Sequence, residues 1–137
     1  MTFEDIQTAS VIRYPYLWAR QAETGETEGR KHRPTAVGVR IARADGDLVL
    51  LFPITSKQPE ANRFAAEVPA TEKWRAGLDA DMRLWIILDE YNTDRIEHSF
   101  YIEPELQIGR FSKVFFLPLV REFIARRSSL SGVSRVR

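Results

Sequence analysis

The chain has 137 residues, a formal net charge of +1 and no cysteine. This length indicates one domain with a sizeable core. The lack of cysteine excludes disulfides, zinc–thiolate sites and thiol nucleophiles, and is typical of a reducing cytoplasm. We find no signal peptide and no apolar run of about 20 residues that would span a bilayer, so we expect a cytoplasmic protein without membrane contact.

Five segments rich in β-branched and aromatic residues predict strands. Pro15 in the first segment indicates an edge strand or a bulge. Asp45-Gly46 predicts a hairpin turn between the second and third strands. The continuous apolar run of the third strand predicts that it is covered on both faces. In chain order the predicted strands cover residues 11–20, 34–43, 47–54, 82–88 and 96–102.

The remaining segments predict loops and helices. Residues 21–33 and 55–66 are predicted loops, and residues 70–76 predict one helical turn. A terminal helix is predicted over 112–127, because Phe116, Val120, Phe123 and Ile124 recur on one face. Many short strands and one terminal helix predict a mainly β fold, a small and strongly bent β-barrel. We predict one domain over residues 1–127 and a disordered tail over 128–137.

The first loop is a dense cationic segment that opens into a strand. It carries Glu28, Arg30, Lys31 and His32, and it ends at Arg33. The following proline biases Arg33 towards extended geometry, so the guanidinium is held at a strand start. A guanidinium held there donates in a fork that matches phosphate oxygens. The other interpretation is a solvated, highly charged loop.

The second polar element comes where the third strand ends, at Thr55, Ser56 and Lys57. Hydroxyls at this point can donate to a phosphoryl oxygen, and the lysine adds positive charge. The alternative is a turn cap, in which the hydroxyls bond to nearby backbone groups. Trp18 is a candidate for stacking on the bases of a single-stranded nucleic acid. With two histidines and no cysteine, we predict no metal site and no cofactor.

These elements, in this order and spacing, resemble the MazF/PemK family of toxins from toxin–antitoxin systems. The resemblance covers about residues 11–60, with a looser match over 61–127. Lys31 stands where the family usually has a glycine. The corresponding segments are Ile12–Trp18, Gly25–Glu28 with Arg33-Pro34, Thr35–Val39 and Pro53–Ser56.

The resemblance implies an SH3-like barrel of the MazF/PemK/CcdB type, a homodimer and a metal-independent endoribonuclease acting on single-stranded RNA. It implies that Arg33 is the catalytic arginine, Thr55 the catalytic hydroxyl residue and Glu28 the loop glutamate. It also implies a cognate antitoxin as protein partner. The RNA contacts that we expect in addition are Arg30, Lys31, His32, Ser56, Lys57 and Trp18.

Two other functions stay open from the sequence. One is a CcdB-like inhibitor of DNA gyrase, which shares the fold and does no chemistry. Such a protein has no need of Arg33 and Thr55 together. The other is a catalytically inactive barrel-type binding module that docks through the acidic stretch of residues 59–105.

Overall fold

The computed structural model describes residues 2–27 and 31–136. Three α-helices lie in the described residues: α1 (Ala19–Glu23), α2 (Ala70–Arg75) and α3 (Lys113–Arg126). None of them has the length and apolar character needed to cross a membrane. The strands of the described part are β1 (Ser10–Tyr14), β2 (Arg33–Ile41), β3 (Leu48–Thr55), β4 (Ala65–Glu67), β5 (Trp85–Ile87), β6 (Glu90–Arg95), β7 (Gln107–Arg110) and β8 (Ser131–Ser134).

One sheet contains these strands, in the order β4-β5-β3-β2-β1-β7, with β6 beside β3 and β8 beside β6. The pairs are antiparallel except β6–β8, which is parallel. β3 is the branch point, since its first half pairs with β6 and its last two residues pair with β5. This arrangement confirms a mainly β fold with a C-terminal helix. The described strands show no pairing that closes the sheet.

The core lies on both faces of β3, as the apolar run predicted. Leu50 and Phe52 belong to one buried cluster, whereas Val49 and Leu51 belong to a second cluster. The alternation follows from the strand period of two. α3 covers the first cluster, and the Phe123 ring meets Phe52 edge to face at 4.7 Å between centroids. Because β3 is packed on both faces, its C-terminal end, where Thr55 lies, is held in place.

The terminal helix was predicted well in position and less well in its faces. α3 begins after Ser112, whose side chain accepts a hydrogen bond from the Phe115 amide at 3.3 Å. Phe116, Val120 and Phe123 are buried, as predicted. Ile124 is 56 % exposed, so its assignment to the apolar face was wrong.

Two predictions failed around the first strand and the first loop. β1 ends at Tyr14, immediately before Pro15, so the predicted strand to residue 20 was too long. A proline has no amide hydrogen for the sheet. α1 follows, and the Gln21 side chain caps it by accepting from the Trp18 amide at 3.2 Å. A short helix therefore stands where we predicted the strand end and the start of a loop.

The predicted strand at 96–102 was also wrong, because the chain pairs earlier, at β6. Glu90, Asn92 and Asp94 form the buried side of β6. Hydrophobic alternation cannot reveal a strand whose inward residues are polar. The three-residue β4 was missed as well; it begins at Ala65, near the end of the predicted loop 55–66.

The expectation of a disordered tail was wrong for Ser131–Ser134, which form β8 beside β6. Arg135 anchors this segment. Its side chain is buried, donates to the Pro15 carbonyl and lies over the Tyr101 ring at 4.3 Å from the centroid. Polar composition alone gave no sign of these tertiary contacts.

Candidate functional site

Arg33 and Thr55 lie at the same end of two paired strands. β2 and β3 are antiparallel, and Thr35 stands opposite Pro53. Arg33 precedes Thr35 by two residues and Thr55 follows Pro53 by two, so the register carries both residues to one end of the sheet. Both side chains line a single cavity of about 300 Å³.

The same cavity collects several other residues that the sequence singled out, namely Lys31, His32 and Ser56. The sequence analysis did not assign two further lining residues to this site: Arg13, which lies in β1, and Asp79, which follows α2. Asp79 is exposed and accepts a hydrogen bond from the Asp81 amide at 2.9 Å.

Thr55 also lines a second cavity of about 200 Å³, together with Trp18, Arg20 and Lys57. Its Oγ1 accepts a hydrogen bond from the Lys57 amide at 3.1 Å. The hydroxyl therefore caps the turn, as the alternative interpretation proposed, while its own hydrogen stays available for a further acceptor. Capping and ligand binding are compatible in this geometry.

Trp18 lies beneath two arginines. The guanidinium carbon of Arg20 is 4.8 Å from its ring centroid and that of Arg33 is 5.2 Å away. The Trp18 side chain is only 5 % exposed and also meets Tyr16 edge to face. Little of the indole face is left for a nucleotide base, so Trp18 acts as a support for the guanidinium groups.

Burial and the charge of Arg20 lower the pKa of Arg33, burial being the larger cause. Arginine nevertheless stays protonated at neutral pH. The two cavities form one surface, which we call the cationic cleft; it is defined by Arg13, Trp18, Arg20, Lys31, Arg33, Thr55 and Lys57.

The cleft has five cations, and within residues 2–27 and 31–136 no carboxylate forms an ion pair with any of them. By contrast, Arg40, Arg63 and Arg83 each have an acidic partner.

Below the cleft lies a buried network of tyrosines and polar β6 residues. The Tyr14 hydroxyl donates to Asp94 at 2.7 Å and the Tyr16 hydroxyl donates to Glu90 at 3.1 Å. Burial first, and then the neighbouring carboxylate, raises the pKa of both tyrosines. We call Tyr14, Tyr16, Glu90, Asn92 and Asp94 the tyrosine–acid network.

This network positions the residues that carry the cleft. The Asn92 amide bonds Leu17 twice, accepting from its N–H at 2.9 Å and donating to its carbonyl at 2.8 Å. Glu90 accepts from the Ala19 amide at 3.0 Å. Because Leu17 and Ala19 flank Trp18, β6 determines where the indole lies.

The structure does not test two of the predicted site residues, and it adds one that the sequence analysis did not name. Glu28 and Arg30 lie outside the described residues. Arg20 was missed, because no sequence signal separates it from any other surface arginine. Among the described residues, no three His, Asp or Glu side chains come together as a possible metal site.

No family model matches the chain, and neither the curated proteins nor the solved structures contain a significant match to it.

Proposed function

We propose that the chain is a metal-independent endoribonuclease that cleaves single-stranded RNA. The observation that carries the proposal is the shared cavity of Arg33 and Thr55, at adjacent strand ends, with the Arg33 guanidinium free of any described carboxylate. RNA supplies its own nucleophile, so a protein need only align the 2′-OH, stabilise charge and assist proton transfer.

The reaction we propose forms a bond between the 2′ oxygen and phosphorus and breaks the bond from phosphorus to the 5′ oxygen. Its products are a 2′,3′-cyclic phosphate and a 5′-hydroxyl. Arg33 stabilises the charge that develops on the phosphorane, and the Thr55 hydroxyl donates to one of its oxygens.

A base must accept the proton of the 2′-OH, and an acid must protonate the leaving oxygen. Glu28, the loop glutamate that the resemblance implies, is one candidate to orient or deprotonate the 2′-OH. Within the described residues, His32 and Asp79 line the cavity and are both exposed, so either can exchange a proton with the substrate. General acid–base assistance is worth about 10²–10⁴-fold in rate.

The proposal includes the family's other properties. We propose an SH3-like barrel of the MazF/PemK/CcdB type, a homodimer in the cytoplasm and an acidic, partly disordered antitoxin. The cations of the cationic cleft support the antitoxin, because they have no carboxylate partner among the described residues, and an acidic peptide presents the same kind of charge as an RNA backbone. The order of β1, the loop, the β2–β3 pair and α3 supports the fold.

The test is incubation of the purified protein with a long single-stranded RNA in EDTA, followed by mapping of the ends. We expect discrete cuts with 5′-hydroxyl ends, which vanish in Arg33→Ala. Arg121→Ala is the matched control, since Arg121 is exposed on α3, away from the cleft. Absence of cutting by the folded wild-type protein, or equal cutting by Arg33→Ala, would refute the proposed role.

A catalytically inactive binding module is the second candidate. It is favoured by large apolar side chains in solvent: Trp74 is 82 % exposed, Phe100 74 % and Val114 89 %. Exposed aromatic residues are typical of protein interfaces. Overexpression separates the two functions, because an active ribonuclease should arrest growth in an Arg33-dependent way and a binding module should not.

A further inference from the structure

The arrangement around Trp18 is costly for the free protein. Arg20 and Arg33 carry like charges and approach the same indole, at 4.8 Å and 5.2 Å from its centroid. Cation–π attraction offsets part of their repulsion. No described carboxylate compensates the rest, whereas Arg40, Arg63, Arg83 and Arg95 each have an acidic partner.

Two buried hydrogen-bond donors at this place have no acceptor among the described residues. They are Nε1 of Trp18 and Nε of Arg33. Buried donors are nearly always partnered, and each exception calls for a reason. Donors and positive charge that remain unsatisfied together indicate a site prepared for an anion with several oxygens.

A third cavity, of about 410 Å³, opens over these groups. Its lining combines the two arginines with the exposed Lys31 and the amide side chain of Gln21. Arg33 lines this cavity and also the cavity of about 300 Å³ that it shares with Thr55. Thr55 lines the cavities of about 300 Å³ and 200 Å³ and is not part of the lining of the third. The Trp18 side of Arg33 therefore opens into a cavity next to the one assigned to the scissile phosphate, and Trp18 and Arg20 also line the cavity of about 200 Å³ that contains Thr55.

We propose that Arg20 and Arg33 hold a second phosphate group over Trp18, next to the phosphate that is cleaved. A guanidinium has five donors in a planar fork, so Arg33 can serve one phosphate on each side. That this phosphate belongs to the RNA backbone rests on the proposed function; the anion site itself does not. Arg20 would be a positioning residue, which sets the register of the RNA.

The binding test uses inorganic phosphate and the indole N–H signals of the protein in ¹H–¹⁵N spectra. The chain has three tryptophans, and Trp74 and Trp85 lie outside this cavity. We expect the Trp18 signal to move during titration at constant ionic strength, while the other two stay in place. Sodium chloride at equal ionic strength should not reproduce the shift.

Two variants make the test specific. Arg20 is exposed, so Arg20→Gln should fold normally and weaken phosphate binding by about tenfold or more, since a charge-assisted contact is lost. Arg121→Gln should bind like the wild type. An unmoved Trp18 signal, or equal affinity of the two variants, would overturn the inference.

A second arm identifies the source of the phosphate. A short RNA carrying a 2′-deoxy nucleotide at the cut site binds without being cleaved. We expect it to shift the Trp18 signal at a far lower concentration than inorganic phosphate does, and to lose affinity in Arg20→Gln. Phosphate binding in a protein that cuts no RNA would keep the anion site and remove the ribonuclease. Cutting of RNA without any response of the Trp18 signal to phosphate would keep the ribonuclease activity and refute the anion site.

Discussion

The tyrosine–acid network and the cationic cleft share one stretch of chain, residues 14–20, which gives Tyr14 and Tyr16 to the network and Trp18 and Arg20 to the cleft. The two regions differ in whether their buried polar groups have hydrogen-bond partners. In the network each buried hydroxyl or amide has its partner: Tyr14 with Asp94, and Asn92 with Leu17. In the cleft, Trp18 Nε1 and Arg33 Nε are buried and have no hydrogen-bond partner in the part of the chain that the structure describes.

The difference separates the residues that stabilise the fold from the residues that we expect to bind a ligand. A fully satisfied buried network holds one geometry, because any displacement leaves a polar group unpaired. The network holds residues 14–19 in one geometry, so the cleft can keep cations that have no acidic partner among the described residues. We propose that a bound anion supplies the partners that these cations lack. Substitutions in the tyrosine–acid network should therefore lower the free energy of unfolding, whereas substitutions in the cationic cleft should lower RNA cleavage or anion binding and change stability little.

The largest expected effect is on catalysis, at Thr55. Thr55→Val keeps the shape and removes the hydroxyl, so the rate of RNA cleavage should fall by about 10²–10³-fold, as when one donor to a developing charge is lost. Thr55→Ser should retain most of the activity. Single-turnover cleavage rates measure both. A fully active Thr55→Val would exclude the hydroxyl from the mechanism.

The second effect is on stability, at Asn92. Asn92→Ala removes both hydrogen bonds to Leu17 and leaves buried backbone groups unpaired, so the free energy of unfolding should fall by about 2–4 kcal/mol. Urea denaturation measures the change, and Asn62→Ala, on the exposed surface, is the control. We also expect the Trp18 indole signal to move in Asn92→Ala. A change below about 0.5 kcal/mol would contradict the structural role of the network.

The third effect is smaller and depends on pH. Burial and Asp94 raise the pKa of Tyr14, so the folded state favours the neutral phenol. This contribution is complete below the ordinary tyrosine pKa of about 10 and is lost as the pH rises above it, because the unfolded chain ionises first. Tyr14→Phe should cost about 1 kcal/mol at pH 7. It should also make the loss of stability between pH 9 and 11 (about one unit either side of that pKa) less steep. An unchanged slope would contradict the raised pKa.

The smallest expected effect on stability is at Arg20. Arg20→Gln should change the free energy of unfolding by less than about 0.5 kcal/mol, because the side chain is exposed and faces the like charge of Arg33. Thermal and urea unfolding beside Arg121→Gln measure it. A loss above about 1 kcal/mol would assign Arg20 to the structure and not to ligand binding.

Part of the fold was predictable because its signals are local. The apolar run of β3, the Asp45-Gly46 turn and the α3 periodicity each involve neighbours in sequence. The β6 strand was not predictable in this way, because its inward side is made of Glu90, Asn92 and Asp94. These residues are buried only because Tyr14, Tyr16 and Leu17 supply partners more than 70 positions away.

The sequence by itself determined a mainly β chain with a terminal helix, and it placed Arg33 at a strand start and Thr55 at a strand end. Local dihedral preferences and side-chain periodicity are enough for that. Only the tertiary structure brought Arg33 and Thr55 into one cavity, set Arg20 beside Arg33 on the Trp18 indole and recruited β8 to the sheet. The physical reason is that register, burial and charge compensation depend on contacts between residues far apart in the chain.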